Sequence, residues 1–193
     1  EQLLGRDRLR QAGPYAIPVV LEALRGGLSP ESRALILANL GRLNRSVVPP
    51  LIAALDAEDR DLVVDVLYLL GQIGGNRAIQ TLLYEAARPD APVRRRSAAQ
   101  AALEPATGQS LTEADQTPTD RLISLALRYR AGRLNRVGDT LTLWQWTGET
   151  VEPFDVPRSR AERLLALEAA NQALAISPGQ TLAQRLALSI RLE

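Results

Sequence analysis

The segment "DLVVDVLYLLGQIG" sets the pattern of the first half of the chain. Its polar positions Asp61, Asp65, Tyr68 and Gln72 fall at i, i+4, i+7 and i+11, one stripe of a helix. Every other position around that helix is apolar. The Val content alone would suit a buried strand, but the length and the single stripe predict a helix covered on both flanks. Three apolar segments align with one another: "AIPVVLEAL" from Ala16, "VVPPLIAAL" from Val47 and "AIQTLLYEA" from Ala78. Ile17, Val48 and Ile79 in them are 31 residues apart. A polar break follows each segment, and then a second helix, near Pro30–Leu43, Asp61–Ile73 and Pro92–Leu103. The chain therefore reads as stacked helix pairs, each burying its neighbour's flank.

The punctuation agrees. Ser29 before Pro30 is an N-cap with proline at the first helical position. Pro49 and Pro50 fall in a first turn, where a missing N–H costs little. Pro18 is expected slightly deeper, as a kink. Asn76 is the expected cap of the third first-helix. The opening "EQLLGRDRLRQAG" reads as the second helix of a repeat whose first half lies outside this sequence.

"DRDLVVDVLYLLGQIG" resembles the D-x-x-V…L-G-x-I-G pattern of HEAT-like repeats, the type also found in phycobilin lyases. "DAPVRRRSAAQAAL" repeats the front half of that pattern, with Arg94 at the V-R position. The resemblance covers about residues 1–105. It implies an α-α superhelix that serves as a binding scaffold, and it implies interhelix aspartates, Asp59 and Asp90, that bond across neighbouring repeats.

Residues 106–118 are polar and rich in turn formers, and read as a linker. Thr117-Pro118-Thr119-Asp120 is a capping box, and the helix it opens has Leu122, Leu125, Ala126 and Tyr129 on one face. From Asp139 the period changes to two. Thr140, Thr142, Trp144 and Trp146 share one face of a strand; Leu141, Leu143 and Gln145 share the other. Thr147-Gly148 is a hairpin turn, and Pro153 on the return suits an outer edge. A two-stranded hairpin is marginal alone, so the indole face is expected to dock on helix Thr119–Ala131 or Arg160–Ile176. Ser159–Glu162 reads as a second capping box. The chain that follows, with Ala173-Leu174, Ile176, Pro178 and Ala183, resembles one tetratricopeptide helix pair, although Ala187 stands where that pattern has Leu. The expected fold is all-α: a HEAT-like solenoid over 1–105, a linker, then a helix, a hairpin near 139–156 and a tetratricopeptide-like pair up to 193.

Composition narrows the chemistry. Hydrophobic content is 46% with only 4% aromatic, so Leu and Ala fill the interior. All 23 basic residues are Arg, which base composition of the genome accounts for, and the net charge of +1 gives no field aimed at nucleic acid or membrane. Without Cys or His there is no thiol or imidazole chemistry and no Cys/His zinc site. The acidic run Asp56, Glu58, Asp59, Asp61 lacks the Gly and terminal Glu of a calcium loop and reads as a solvated turn. Arg94-Arg95-Arg96 reads as a solvated helix start. Arg121, Arg128, Arg130, Arg133 and Arg136 precede the acids Asp139, Glu149, Glu152 and Asp155, and the two groups are expected to neutralise one another. No nucleophile elbow, phosphate loop or dinucleotide fingerprint is present. No apolar run reaches membrane-span length. The chain begins at Glu1 and lacks Met, which suggests an internal piece of a longer, bacterial protein.

These readings lead to a non-catalytic protein–protein interaction scaffold with no cofactor and no metal, in the cytoplasm. Its partner would be a protein or peptide held on a concave face built from the second helices: Arg42, Asp61, Asp65, Tyr68, Gln72 and Arg96. Trp144 and Trp146 are the alternative aromatic platform, although a structural role is expected for them. The competing function is nucleic-acid binding through the arginines. An enzyme related to the phycobilin lyases is a third reading, carried by repeat resemblance alone.

Overall fold

The computed structural model describes residues 11–107, 117–132 and 138–192. It is mostly helical, with one antiparallel hairpin set among the helices. After a 3-10 turn at Gly13–Ala16 come α1 (Ile17–Arg25) and α2 (Pro30–Leu40). The second pair is α3 (Val48–Ala53), extended by a 3-10 turn at Ala54–Asp56, and α4 (Arg60–Ile73). The third is α5 (Asn76–Ala87) and α6 (Val93–Thr107). Then follow α7 (Pro118–Arg130), β1 (Thr140–Trp146), β2 (Val151–Pro157), α8 (Arg158–Ile176) and α9 (Thr181–Leu192).

The polar stripe on α4 has the consequence its spacing implies. Leu62, Val63, Val66, Leu67, Leu69 and Leu70 are buried, while Asp61, Tyr68 and Gln72 reach the surface. The neighbouring second helix lies close by because Gly71 has no side chain. A Cβ there would stand 2.7 Å from the Ala102 carbonyl oxygen and 2.9 Å from its Cβ. Backbone and methyl both block any larger residue, so the glycine of "LLGQIG" is a crossing point between α4 and α6.

Caps behave where the geometry is local. Ser29 accepts from the Ser32 amide at 3.2 Å, and Thr117 accepts from the Asp120 amide at 3.2 Å. Three expectations need correction. Pro18 lies in the first turn of α1, because that helix starts at Ile17, so no kink is required. Gly75, at φ 93°, occupies the N-cap before α5, and Asn76 is already helical. Ser159 is inside α8 rather than capping it. β2 runs straight into that helix at Arg158, whose side chain reaches Glu162 at 3.0 Å. Of the expected linker, Ala106 and Thr107 belong to α6, and 108–116 lie outside the described residues.

The hairpin is held on both faces. Trp144 and Trp146, with Val151 across from Trp146, join the core formed by the helix pairs. Trp144 meets the Tyr15 ring at 5.5 Å, and the Arg25 guanidinium lies 5.9 Å from the Trp146 ring. Arg25 also donates to the Glu149 carbonyl at the hairpin tip, at 2.7 Å. The opposite face, Leu141, Leu143, Val156 and Phe154, packs with Ala161 of α8. The indoles thus dock on the helix pairs, not on α7 or α8. It is the leucine face that meets α8. Alternation put both indoles on one side; which partner they met depended on distant contacts, such as that of Arg25 with Glu149, 124 residues apart.

The last three helices share a core of Leu125, Ala126 and Tyr129 with Leu165, Ala166, Ala169, Ala170, Leu186, Ala187 and Ile190. The run of alanines on α8 lets α7 approach closely. Leu122, Ile123, Ala173 and Ala183 then pack with Tyr84, which ties this group to α5.

Candidate functional site

The second-helix stripe separates into two kinds of residue. Asp65 accepts from Arg33 Nε at 2.7 Å, bridging two successive helix pairs. Burial raises its carboxyl above the ordinary value, against the pull of Arg33. Asp61 pairs with Arg94 at 2.6 Å across the next junction, where both side chains are exposed. Arg96 turns inward: its Nη2 donates to the Pro89 carbonyl at 2.9 Å and the Ala91 carbonyl at 3.2 Å, pinning the loop before α6. Arg42, Tyr68 and Gln72 are at the surface, with Tyr68 46% exposed. The structure therefore leaves Tyr68, Arg42, Gln72 and the Asp61–Arg94 pair outward, and spends Asp65 and Arg96 on the fold.

The interhelix aspartates are local rather than bridging. Asp59 caps α4 by accepting from the Asp61 and Leu62 amides at 2.9 and 3.0 Å. Asp90 lies 3.7 Å from Arg88. Asp155 accepts from the Thr142 hydroxyl at 2.7 Å, and Arg133 and Arg136 lie outside the described residues.

A concavity that joins both halves of the chain lies elsewhere. A groove of about 730 Å³ opens between the first helices, the hairpin and α8. Its floor is Ile52, Leu55 and Thr81, from α3, the turn after it and α5. One wall is Leu143, Trp144, Gln145 and Trp146 of β1. The other is Leu164, Glu168 and Gln172 of α8. Gln80 of α5 donates to Gln172 Oε1 at 3.3 Å, fastening α5 to α8 at one end.

A buried ion cluster borders the groove. Glu85 is 3% exposed and accepts from Arg95 through two bonds, Nε to Oε2 at 2.5 Å and Nη2 to Oε1 at 2.8 Å. Arg88 stands 3.2 Å from the same carboxylate and lies over the Tyr84 ring at 5.5 Å. With Asp90 on Arg88, that cluster balances two cations against two anions. Asp56 and Glu168 remain in the groove against Arg77. Burial pushes the Asp56 carboxyl up, and Arg95 opposes it. Glu168 reaches solvent on the α8 wall and accepts from Gln172 Nε2 at 3.3 Å. Burial raises it most, Arg77 pulls it back, and Asp56 adds to the rise.

That rise has a testable sign. A carboxyl whose folded pKa is raised contributes full stability below its unfolded pKa and loses it as pH climbs through the folded value. Glu168→Gln should therefore melt higher than the parent at pH 7, and the gap should close towards pH 4. Thermal melts of both proteins across that range check it; a gap that is constant with pH contradicts it.

Sequence reasoning missed this groove. Its walls come from residues between positions 49 and 172, and no local period or motif marks them. The alternation in β1 is the one signal that touched it.

Residues 17–103 match the family model described as HEAT repeats. The matched segment spans α1 to most of α6. No curated protein and no solved structure matches the chain. No helix among the described residues is long and apolar enough to cross a membrane.

Proposed function

We propose that this chain is a non-catalytic protein-interaction scaffold whose partner lies in the groove between the first helices, β1 and α8. One observation carries the reading. The groove is the place where the HEAT-type segment, the hairpin and the C-terminal helices all contribute side chains. Its aromatic and aliphatic side chains are interleaved with six charged ones, a mixture of apolar anchors and polar groups that suits a protein-binding cleft. HEAT repeats commonly serve as interaction scaffolds, and α8, the first helix of a tetratricopeptide-like hairpin with α9, closes one side. Tyr68 and Gln72 of α4, with Arg42 in the turn after α2, form an accessory surface. Against nucleic acid, Arg33, Arg88, Arg94, Arg95 and Arg96 have their guanidiniums engaged by carboxylates or carbonyls. They are not arrayed for phosphates.

Leu164→Arg is the discriminating variant. Leu164 is 41% exposed on the α8 wall, so the change is tolerated by the fold while it crowds the groove. The expected result is a protein partner that the parent retains, Leu164→Arg loses and Tyr68→Ala keeps. A partner lost with Tyr68→Ala and kept by Leu164→Arg moves the site to the second helices. Retention of DNA that falls steeply with salt replaces the reading with nucleic-acid binding.

A further inference from the structure

Among the described residues the outer backbone edge of β1 is unpaired, and the groove runs along it. The phase of the hairpin is fixed at both ends: Arg158 N donates to the Asp139 carbonyl at 2.8 Å, and Thr147 N donates to the Thr150 carbonyl at 2.9 Å. In an antiparallel pair, alternate residues turn both backbone groups to the partner strand. Leu141, Leu143 and Gln145 are in phase with those two pairs, so they face β2. Thr142, Trp144 and Trp146 turn their N–H and C=O groups to the other edge. Among the described residues no hydrogen bond reaches those groups. Pro153, opposite Trp144, has the same phase on β2, where its missing N–H faces outward and costs nothing.

The groove meets this edge directly. Leu143, Trp144, Gln145 and Trp146 are consecutive, yet all four line it. Neighbouring residues of a strand point to opposite faces, so a cleft that touches all four passes the edge of the strand. Phe154 is the single β2 residue there. The four residues run roughly 13 Å, at about 3.3 Å each. Long open edges of this kind are usually blunted by charge or proline. β2 carries Pro153; β1 carries neither a proline nor a charged residue.

We infer that the groove takes an extended peptide of a partner protein, added as a third strand to β1, with a basic side chain between Asp56 and Glu168. This rests on the scaffold reading above and gives its mode of recognition. Strand addition supplies main-chain hydrogen bonds to Trp144 and Trp146, and the pockets for alternate side chains give selectivity. The charge follows from the groove itself. Arg95 and Arg88 are occupied by Glu85 and Asp90. The lining carries three carboxylates and three guanidiniums in all, but Glu85 holds both Arg95 and Arg88, so Asp56 and Glu168 are the carboxylates placed to receive one Lys or Arg from the peptide.

The test uses the whole chain and a phage library of random 12-residue peptides, counter-selected on Leu164→Arg. Selected peptides are expected to carry Lys or Arg and no central proline. Glu168→Gln should weaken them about five-fold, the scale of one partly exposed ion pair. In ¹⁵N-labelled protein the decisive signals are the amides. Those of Trp144 and Trp146 should become protected from exchange on binding, while those of Leu143 and Gln145, already paired to β2, should not change. Peptides that bind in the groove and leave the Trp144 and Trp146 amides unprotected overturn strand addition but keep the groove as the site. A library with no enrichment over Leu164→Arg overturns both. Protection of the same amides in the protein alone, with concentration-dependent dimerisation, makes a second copy of this chain the occupant and overturns the inference.

Discussion

Glu85→Ala is expected to cost about 3 kcal/mol and to lower the melting temperature by roughly 6–12 °C. Glu85 is almost wholly buried at the end of α5 and is the shared anion of Arg95 and Arg88. Removing it leaves two guanidiniums that are largely shielded from water, with side-chain exposures of 18% and 17%, and only the exposed Asp90 and the more distant Asp56 to oppose them. The loss is the cost of stranding charge and not the net worth of the pair, and the two can be separated. Glu85→Leu combined with Arg95→Leu removes one charge of each sign and should be less damaging than Glu85→Leu alone. Circular dichroism melts of the three variants measure it. If Glu85→Ala melts within about 2 °C of the parent, water reaches those arginines and the cluster is no structural anchor. The effect also bears on the groove, because Arg95 faces Asp56 as well as Glu85.

What could be read from the chain was whatever depends on a few consecutive residues. The 31-residue spacing of Ile17, Val48 and Ile79 gave the helix pairs, and the stripe from Asp61 to Gln72 gave the face of α4. Ser29 and Thr117 were readable as caps because an N-cap hydroxyl bonds an amide three residues on. Ser159 matched the same motif and failed. Arg158 follows β2 without a break, and its own bond to Glu162 occupies the residue that the capping box needs. Asn76 lost its expected role to Gly75, whose positive φ makes the sharp entry that a side chain would resist. Asp65 and Arg96 show the limit for site residues. Both sit at positions that a polar pattern marks as outward, yet Arg33 and the carbonyls before α6 take them in. A polar residue on a helix stripe is either solvated or paired across a repeat, and the spacing is the same in both cases. The groove was illegible for a different reason. It exists because β1, α5 and α8 converge, and convergence of distant segments leaves no mark in any one of them.

Trp144→Ala and Trp146→Ala are each expected to cost about 2–3 kcal/mol, below the roughly 3–5 of a fully buried Trp because both indoles are only partly covered. In a chain of this size that is a fall of roughly 4–12 °C in melting temperature. A two-stranded hairpin cannot stand alone. Its leucine face rests on Ala161 of α8, and its indole face rests on the core of the helix pairs. Losing one indole loosens the hairpin from that core, and the second indole then has less to lose. The double variant should therefore cost less than the two singles added together, a coupling that independent sites do not show. Arg25→Ala should reproduce a smaller part of the Trp146 effect, since it removes both the guanidinium near that ring and the bond to the Glu149 carbonyl. Strict additivity in the double variant contradicts the seam. Unchanged melting with loss of the selected peptides shows instead that the indoles are a recognition platform. In that event the packing of Trp144 on Tyr15 is incidental, and the binding surface extends from the groove over the indole face.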